Sequence, residues 1–177
     1  QTQPQPAGER QQREHRQAER HDPAIASLGR CRALAQAFDQ LAEAQDQDPV
    51  LVIEARKIQA LRRAGGVVWF DFRTLCGGPR SQNDYLELAC QFHTVLLTDV
   101  PAMSPRMASE ARRFTWLVDV LYDRRVKLIM SAAVPPEALY TEGPLAHEFP
   151  RTISRLNEMQ STQYLALERR IVDTRIT

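Results

Sequence analysis

The sequence predicts an α/β fold in which a parallel sheet of about three strands is flanked by helices. Three nearly continuous apolar runs support this prediction, at residues 67–72, 94–98 and 126–130. Their starts are spaced close to the ~30 residues of a strand–helix–strand unit. Amphipathic segments connect the runs, and this alternation is typical of a parallel sheet that is covered on both faces.

The first 30 residues are predicted to be a disordered tail rich in Gln and Arg, ahead of one α/β domain over residues 31–177. No large apolar residue precedes Ile25. Such a segment buries too little apolar surface to offset the entropy that it would lose on ordering. The chain begins with Gln1 rather than Met, which predicts a fragment or a processed piece of a longer protein.

A short helix and a β-hairpin are expected before the three strands. The helix is indicated by apolar residues three and four apart, Leu34, Phe38 and Leu41. Pro49 disfavours helical backbone in the residue before it and so ends this segment. Residues 50–53 are predicted to pair with 57–61 as an N-terminal hairpin, and Gly65-Gly66 predicts a turn.

The two helices that connect the strands have recognisable start signals. Asp84 is expected to cap the first helix, whose apolar face comprises Tyr85, Leu88, Ala89 and Phe92. Ser104-Pro105 begins the second, as an N-cap residue followed by proline at the first helical position. Its apolar stripe comprises Phe114, Leu117, Val118 and Leu121.

After Val134-Pro135-Pro136, the sequence predicts a long C-terminal helix with an interruption near Ser161. The apolar positions that mark this helix are Phe149, Ile153, Leu156, Tyr164, Leu167 and Ile171. They recur at intervals that suit one helical face.

Composition excludes several classes of function. A formal net charge of +1 gives no general attraction to nucleic acid or to an anionic membrane. No apolar run approaches the ~18 residues of a membrane-spanning helix. Cys31, Cys76 and Cys90 contain no C-x-x-C pair, and the four histidines are scattered, so no metal site is predicted. A reducing cytosolic compartment is the expectation.

Candidate ligand contacts lie at the carboxyl ends of the strands, where parallel sheets bind ligands. Arg80 and Ser81 belong to a loop before a helix N-terminus, where backbone N–H groups can hold an anion. Asp99 ends the second strand and Ser131 the third. These four residues are candidate nucleotide or phosphate contacts. A turn without a ligand and a structural acid are the alternative interpretations.

Four arginines on the later helices are further candidates for phosphate contacts. Arg112 and Arg113 could act on a neighbouring subunit's phosphates as arginine fingers do, and a solvated helix face is the alternative. Arg151 and Arg155 are four residues apart and share a helix face. That arrangement suits anion sensing and equally suits pairing with Glu148 or Glu158.

A cysteine-nucleophile enzyme is disfavoured by the residues present. Cys76 has no base beside it in the sequence, and such a nucleophile needs one to be activated. His93 is expected to be a hydrogen-bonded structural residue close to the start of a strand. No catalytic residue is predicted.

The sequence contains no complete nucleotide site. A P-loop requires G-x-x-x-x-G-K-[ST], and neither Lys57 nor Lys127, the two lysines of the chain, follows a glycine. The segment 96–99 ends like a Walker B strand, yet Val100 follows where an ATPase carries its glutamate. The predicted fold is therefore P-loop NTPase-like without the P-loop.

Four motifs then carry a family resemblance, in order along the chain. They are LCGGPRSQNDYL, FHTVLLTDVP, ARRF followed by LYDRRVKL, and SRLNEMQS. Together they resemble the C-terminal half of the ZapE-type cell-division ATPases, an AAA+ family with mitochondrial relatives. The resemblance covers residues 35–170.

The resemblance implies an ATP-hydrolysing protein that uses ATP and Mg²⁺, oligomerises and acts on protein partners. In bacteria it implies the FtsZ division ring, at the cytoplasmic face of the inner membrane, and in mitochondria protein quality control. The family's P-loop and full Walker B lie upstream of the matching region, so no catalytic residue carries over to this chain.

Two functions remain open at this stage. The chain is either the C-terminal portion of a ZapE-like ATPase, without activity of its own, or a non-catalytic α/β module that binds proteins. The stretch upstream of Gln1 discriminates between them, because an in-frame P-loop favours the first and a start codon the second.

Overall fold

The structure of the protein is a computed structural model that describes residues 23–170. The strands are β1 (Val50–Ile53), β2 (Arg56–Gln59), β3 (Arg62–Ala64), β4 (Val67–Asp71), β5 (Thr94–Val100) and β6 (Lys127–Ala132). The helices are α1 (Pro23–Leu41), α2 (Gln82–Gln91), α3 (Ala108–Arg124), α4 (Phe149–Met159) and α5 (Thr162–Leu165). Short helical turns lie at Arg73–Gly77, Pro105–Met107 and Pro136–Ala138.

The main sheet has four strands in the order β3-β4-β5-β6. Strands β4, β5 and β6 are parallel and come from the three apolar runs, so the predicted α/β fold is confirmed. Strand β3 pairs antiparallel with β4 and was not predicted. It has three residues, two of them arginine, which is too short and too charged to give a strand pattern.

The predicted N-terminal hairpin is present as β1 and β2, which form a separate two-stranded sheet. Glu54 and Ala55 make its turn, both with positive φ, at 48° and 57°. Two consecutive residues with positive φ are typical of the tight turns whose twist matches that of a hairpin.

Helices cover both faces of the main sheet. On one face, Leu34 and Phe38 of α1 pack in a cluster with Val67, Trp69 and Leu96. On the other, α2, α3 and α4 enclose a larger core. The predicted apolar face of the first helix holds for Leu34 and Phe38, whereas Leu41 is exposed.

Helix α1 begins at Pro23, inside the segment predicted to be a tail. Residues 1–22 lie outside the described residues, and the disordered tail stays a prediction. Ser104 precedes the Pro105–Met107 turn that leads into α3, which confirms the predicted start of that helix.

The predicted C-terminal helix consists of two pieces that are separated at Ser161. Ser161 caps α5 because its hydroxyl accepts a hydrogen bond from the Tyr164 N–H at 3.1 Å. Leu167 follows α5 and is exposed, and Ile171 lies outside the described residues. None of the helices between residues 23 and 170 qualifies as a membrane span.

Candidate functional site

A cleft of about 690 Å³ lies at the carboxyl ends of β4 and β5, the position that the parallel topology predicts for a ligand. Charged residues on its wall are Asp71, Arg73, Asp99 and Glu110. The cleft thus has three carboxylates and one guanidinium. A phosphate that entered without a cation would be repelled, because like charges repel strongly in a partly enclosed site. Among the described residues, no group of three or more acidic, histidine or cysteine side chains could hold a metal ion.

Asp99 and Ser131 meet at this end of the sheet. The pairing of β5 with β6 shifts register after Leu97, and Asp99 has a positive φ of 60° at that irregularity. The Ser131 hydroxyl accepts a hydrogen bond from the Asp99 N–H at 3.2 Å and lies 3.1 Å from the Thr98 hydroxyl. Ser131 is buried and holds two strand ends together, whereas Asp99 is exposed.

In the loop before α2, the backbone N–H and the hydroxyl of Ser81 are bonded to the Asp84 carboxylate. Ser81 is the N-cap residue, and Asp84 stands at the third helical position, so the prediction that Asp84 caps the helix was wrong. The Ser81 N–H and hydroxyl donate to Asp84 Oδ2 at 2.6 and 2.8 Å. The two residues form a capping box, in which the N-cap serine and the acid at the third helical position each accept a hydrogen bond from the other's backbone N–H.

Asp84 is only 2% exposed, and two arginines neutralise it. Arg56 on β2 donates to Asp84 Oδ1 at 2.5 Å, and an Arg80 nitrogen lies 3.8 Å from the same oxygen. Burial would raise the pKa of Asp84, but the hydrogen bonds from Ser81 and Arg56 outweigh burial and lower it. Arg80 and Ser81, two of the predicted phosphate contacts, thus lie together beside the Asp84 carboxylate. This carboxylate takes the place that a bound anion would have at the helix N-terminus.

Arg112 and Arg113 point to different partners at the start of α3. The Arg113 Nε–H donates to the Cys76 carbonyl oxygen at 2.6 Å, and a second nitrogen lies 3.4 Å from the Gly77 carbonyl oxygen. Arg112 pairs with Glu148 at 2.7 Å and remains 39% exposed. Arg113 therefore fixes the turn after β4, while Arg112 stays accessible from solvent.

Arg155 is held between α3 and α4, only 13% exposed. It pairs with Asp119 and, at 3.5 Å, with Asp123, and its guanidinium lies 4.8 Å from the centre of the Tyr122 ring. The ion-pair partners of Arg155 are thus Asp119 and Asp123, not Glu148 or Glu158, the alternative partners that the spacing on the helix suited.

Other groups take those two acids. Glu148 pairs with Arg112, and Glu158 accepts a hydrogen bond from the Tyr122 hydroxyl at 2.7 Å. Arg151 lies in the first turn of α4 with its side chain exposed. Arg151 and Arg155 therefore share a helix but not an environment.

The AFG1-like ATPase family model matches residues 9–168 of the sequence. This chain belongs to the AFG1-like ATPase family. It is 46% identical over 124 residues to the cell division protein ZapE of Escherichia coli K12, an alignment that covers 70% of this chain and 33% of ZapE.

Two eukaryotic relatives are more distant. An uncharacterized protein of Schizosaccharomyces pombe is 37% identical over 108 residues, which cover 59% of this chain and 24% of the relative. Lactation elevated protein 1 homolog B of Danio rerio is 32% identical over 162 residues, covering 72% of this chain and 32% of the relative. The chain thus spans about a third or less of each of these proteins. No solved structure matches it significantly.

Cys76 and His93 have structural environments in this AFG1-like chain. Cys76 is fully buried, and burial raises the pKa of its thiol to about 12, so that it stays protonated near neutral pH. His93 immediately precedes β5, donates its backbone N–H to Gly66 at 2.9 Å and places Nδ1 2.9 Å from the Thr94 hydroxyl. The contacts of His93 agree with the hydrogen-bonded structural role that the sequence predicts.

Arg56 is a residue that sequence reasoning missed. It joins the hairpin to the loop before α2, since it bonds Asp84 and also donates to the Pro79 carbonyl oxygen at 2.9 Å. The AFG1-like sequence offers no local signal for this contact, because the partners lie far apart in the chain and meet only after the hairpin folds against α2.

Proposed function

We propose that this chain is the C-terminal portion of a ZapE-like ATPase that couples ATP hydrolysis to action on protein partners in cell division. The P-loop and Mg²⁺ site would lie in a part of the enzyme outside this chain. The observation that carries the proposal is the family match over residues 9–168, combined with a sequence in which neither lysine follows a glycine. The 46% identity to ZapE supports the link to division.

Arg112 is the best placed of the predicted phosphate contacts to act on a neighbouring subunit. Its side chain is 39% exposed and is restrained by an ion pair with Glu148, which is itself exposed. Such pairs are weak, typically ~1 kcal/mol or less, so the guanidinium can leave its partner when an anion approaches. In this proposal the enzyme is a homo-oligomer, and it works in the cytoplasm at the division site beside the inner membrane.

The proposal is tested in an ATPase that carries both the P-loop part and this chain. Arg112→Ala is expected to lower turnover by at least about tenfold while leaving ATP affinity nearly intact, as for an arginine finger supplied in trans. Arg106→Ala is the matched control, because Arg106 is also exposed and lies just before α3. Equal turnover of the Arg112 and Arg106 variants would remove Arg112 from the reaction.

A second candidate function is a non-catalytic α/β module that binds proteins. It is favoured by the contacts of Arg80, Arg113 and Arg155, each of which is directed at protein groups rather than at an open anion pocket. The coding sequence ahead of Gln1 separates the two candidates. An in-frame P-loop supports the ATPase portion, and a start codon directly ahead supports the separate module.

A further inference from the structure

Strand β6 is an edge of the main sheet in the part of the chain that the structure describes. The Lys127 N–H donates to the His93 carbonyl oxygen at 2.9 Å. Just beyond the strand, the Ala133 N–H donates to the Val100 carbonyl oxygen at 2.9 Å, and both hydrogen bonds lie on the side of β6 that faces β5. Backbone groups along a strand alternate between its two sides. Leu128, Met130 and Ala132 therefore direct their N–H and C=O groups away from β5.

A groove of about 550 Å³ runs beside this edge. It is lined by residues without charge: Leu128, Ile129, Met130, Ala132, Pro136, Leu156, Met159, Gln160 and Leu165. An edge with a row of outward backbone groups and an apolar groove is suited to receive another strand. The occupant must be extended and must carry few or no charges.

We propose that β6 pairs antiparallel with β6 of a second copy of this chain, about a two-fold axis at Met130. The pairing places Met130 opposite its own copy and Leu128 opposite Ala132 of the second copy, a large side chain beside a small one. Each Lys127 then lies at an outer end of the pair, so the two ammonium groups stay apart. An interface of this kind is self-complementary, as a two-fold dimer requires.

The second copy suits this groove better than the N-terminal segment of the same chain does. The segment before Ile25 has no large apolar residue and has many charges, so it matches neither the apolar lining nor the absence of charge. Strand β6 satisfies both requirements because, apart from Lys127, its residues are uncharged. The inference is independent of any role in nucleotide hydrolysis.

Cysteine cross-linking tests the register of the proposed pair. The exposed Cys31 and Cys90 are first changed to serine, which leaves the buried Cys76. Residues directly opposite in a hydrogen-bonded antiparallel pair have Cα atoms about 5.5 Å apart, within disulfide range. Met130→Cys is therefore expected to form a covalent dimer on oxidation.

Position-matched variants provide the control. Leu128→Cys and Ala132→Cys should each form no covalent dimer on oxidation when alone, and should cross-link to each other when mixed. A folded Met130→Cys protein that remains monomeric would overturn the proposal, and so would equal cross-linking of Leu128→Cys alone.

Sedimentation of the unmodified chain over a range of concentrations gives a second test. We expect a dimer whose dissociation constant rises at least about tenfold with Leu165→Lys, which places a charge in the groove. Val52→Lys is the matched control, because Val52 on the hairpin is 56% exposed and Leu165 is 52% exposed. A chain that is monomeric at every concentration, or equal dissociation constants for the two variants, would contradict the proposed dimer.

Discussion

The Arg113 guanidinium donates from Nε to the Cys76 carbonyl oxygen across 2.6 Å and thereby ties α3 to the turn after β4. Cys76 is buried, so this carbonyl oxygen has little access to water. A charged donor to such an oxygen is one of the stronger hydrogen bonds in a protein. The neighbouring Arg112 makes an exposed ion pair instead, and the two residues therefore differ in what they contribute.

Arg113→Ala is expected to lower the free energy of unfolding by about 1.5–3 kcal/mol, because it removes a charge-assisted hydrogen bond from a buried carbonyl. Arg112→Ala should change it by less than about 1 kcal/mol, as for other exposed ion pairs. Urea unfolding at neutral pH measures both. Equal losses for the two variants would contradict the structural role of Arg113.

Asp84→Asn is expected to destabilise the protein by about 1–3 kcal/mol at pH 7, because the carboxylate accepts hydrogen bonds from Ser81 and Arg56 while buried. The folded state lowers the pKa of Asp84. Its contribution is therefore complete above the unfolded pKa of about 3.9 and is lost as pH falls through the folded pKa.

The difference in unfolding free energy between the parent protein and Asp84→Asn should consequently narrow below about pH 4. Urea titrations at pH 7, 5, 4 and 3 follow it. Asp123→Asn is the control, since Asp123 is exposed and contacts Arg155 at a longer 3.5 Å. A difference that stays constant with pH would mean that Asp84 does not titrate as the contacts require.

The three thiols should differ in reactivity. Cys31 and Cys90 are exposed, whereas Cys76 is buried with the pKa of its thiol raised to about 12. A disulfide reagent at neutral pH is expected to modify two thiols quickly and the third only in denaturant, because the thiolate is the reactive form. Cys76→Ala should remove the third modification that appears in denaturant and leave the two fast ones unchanged. Rapid modification of all three thiols in the folded protein would contradict this burial.

Gly143→Ala is expected to destabilise the protein by about 1–3 kcal/mol, because a side chain there is strained and crowded. Gly143 has a φ of +122°, and an added Cβ would overlap the Tyr140 hydroxyl and lie 3.2 Å from Pro105 Cα. Gly78→Ala is the matched control, since its φ is −94° and nothing lies within 4 Å of its added Cβ. Thermal unfolding of both variants decides the matter, and equal melting temperatures would refute the crowding argument.

The fold was accessible to sequence reasoning because its signals are local. The three apolar runs became β4, β5 and β6, and Ser104-Pro105 marked the start of the segment that leads into α3. Strand β3 escaped because Arg62 and Arg63 lie in a short antiparallel edge strand, where charged side chains are common.

The candidate site was less accessible, because its charge partners are fixed by tertiary packing. Asp84 pairs with Arg56 only because the hairpin docks against α2, and Arg155 meets Asp119 only because α4 crosses α3. Spacing along α4 pointed to Glu148 and Glu158 as neighbours of Arg155 in sequence, but both acids are turned to side chains of α3. The phosphate roles of all eight candidate contacts stay predictions: Arg80, Ser81, Asp99, Arg112, Arg113, Ser131, Arg151 and Arg155.

Calorimetric titration of this purified chain with ATP and magnesium decides whether it binds nucleotide alone. An AFG1-like chain with no P-loop lysine and with an acidic cleft at its strand ends should not form a nucleotide site by itself. We therefore expect no saturable heat of binding. Saturable binding with a defined stoichiometry would contradict this expectation and would place a nucleotide site within these 177 residues.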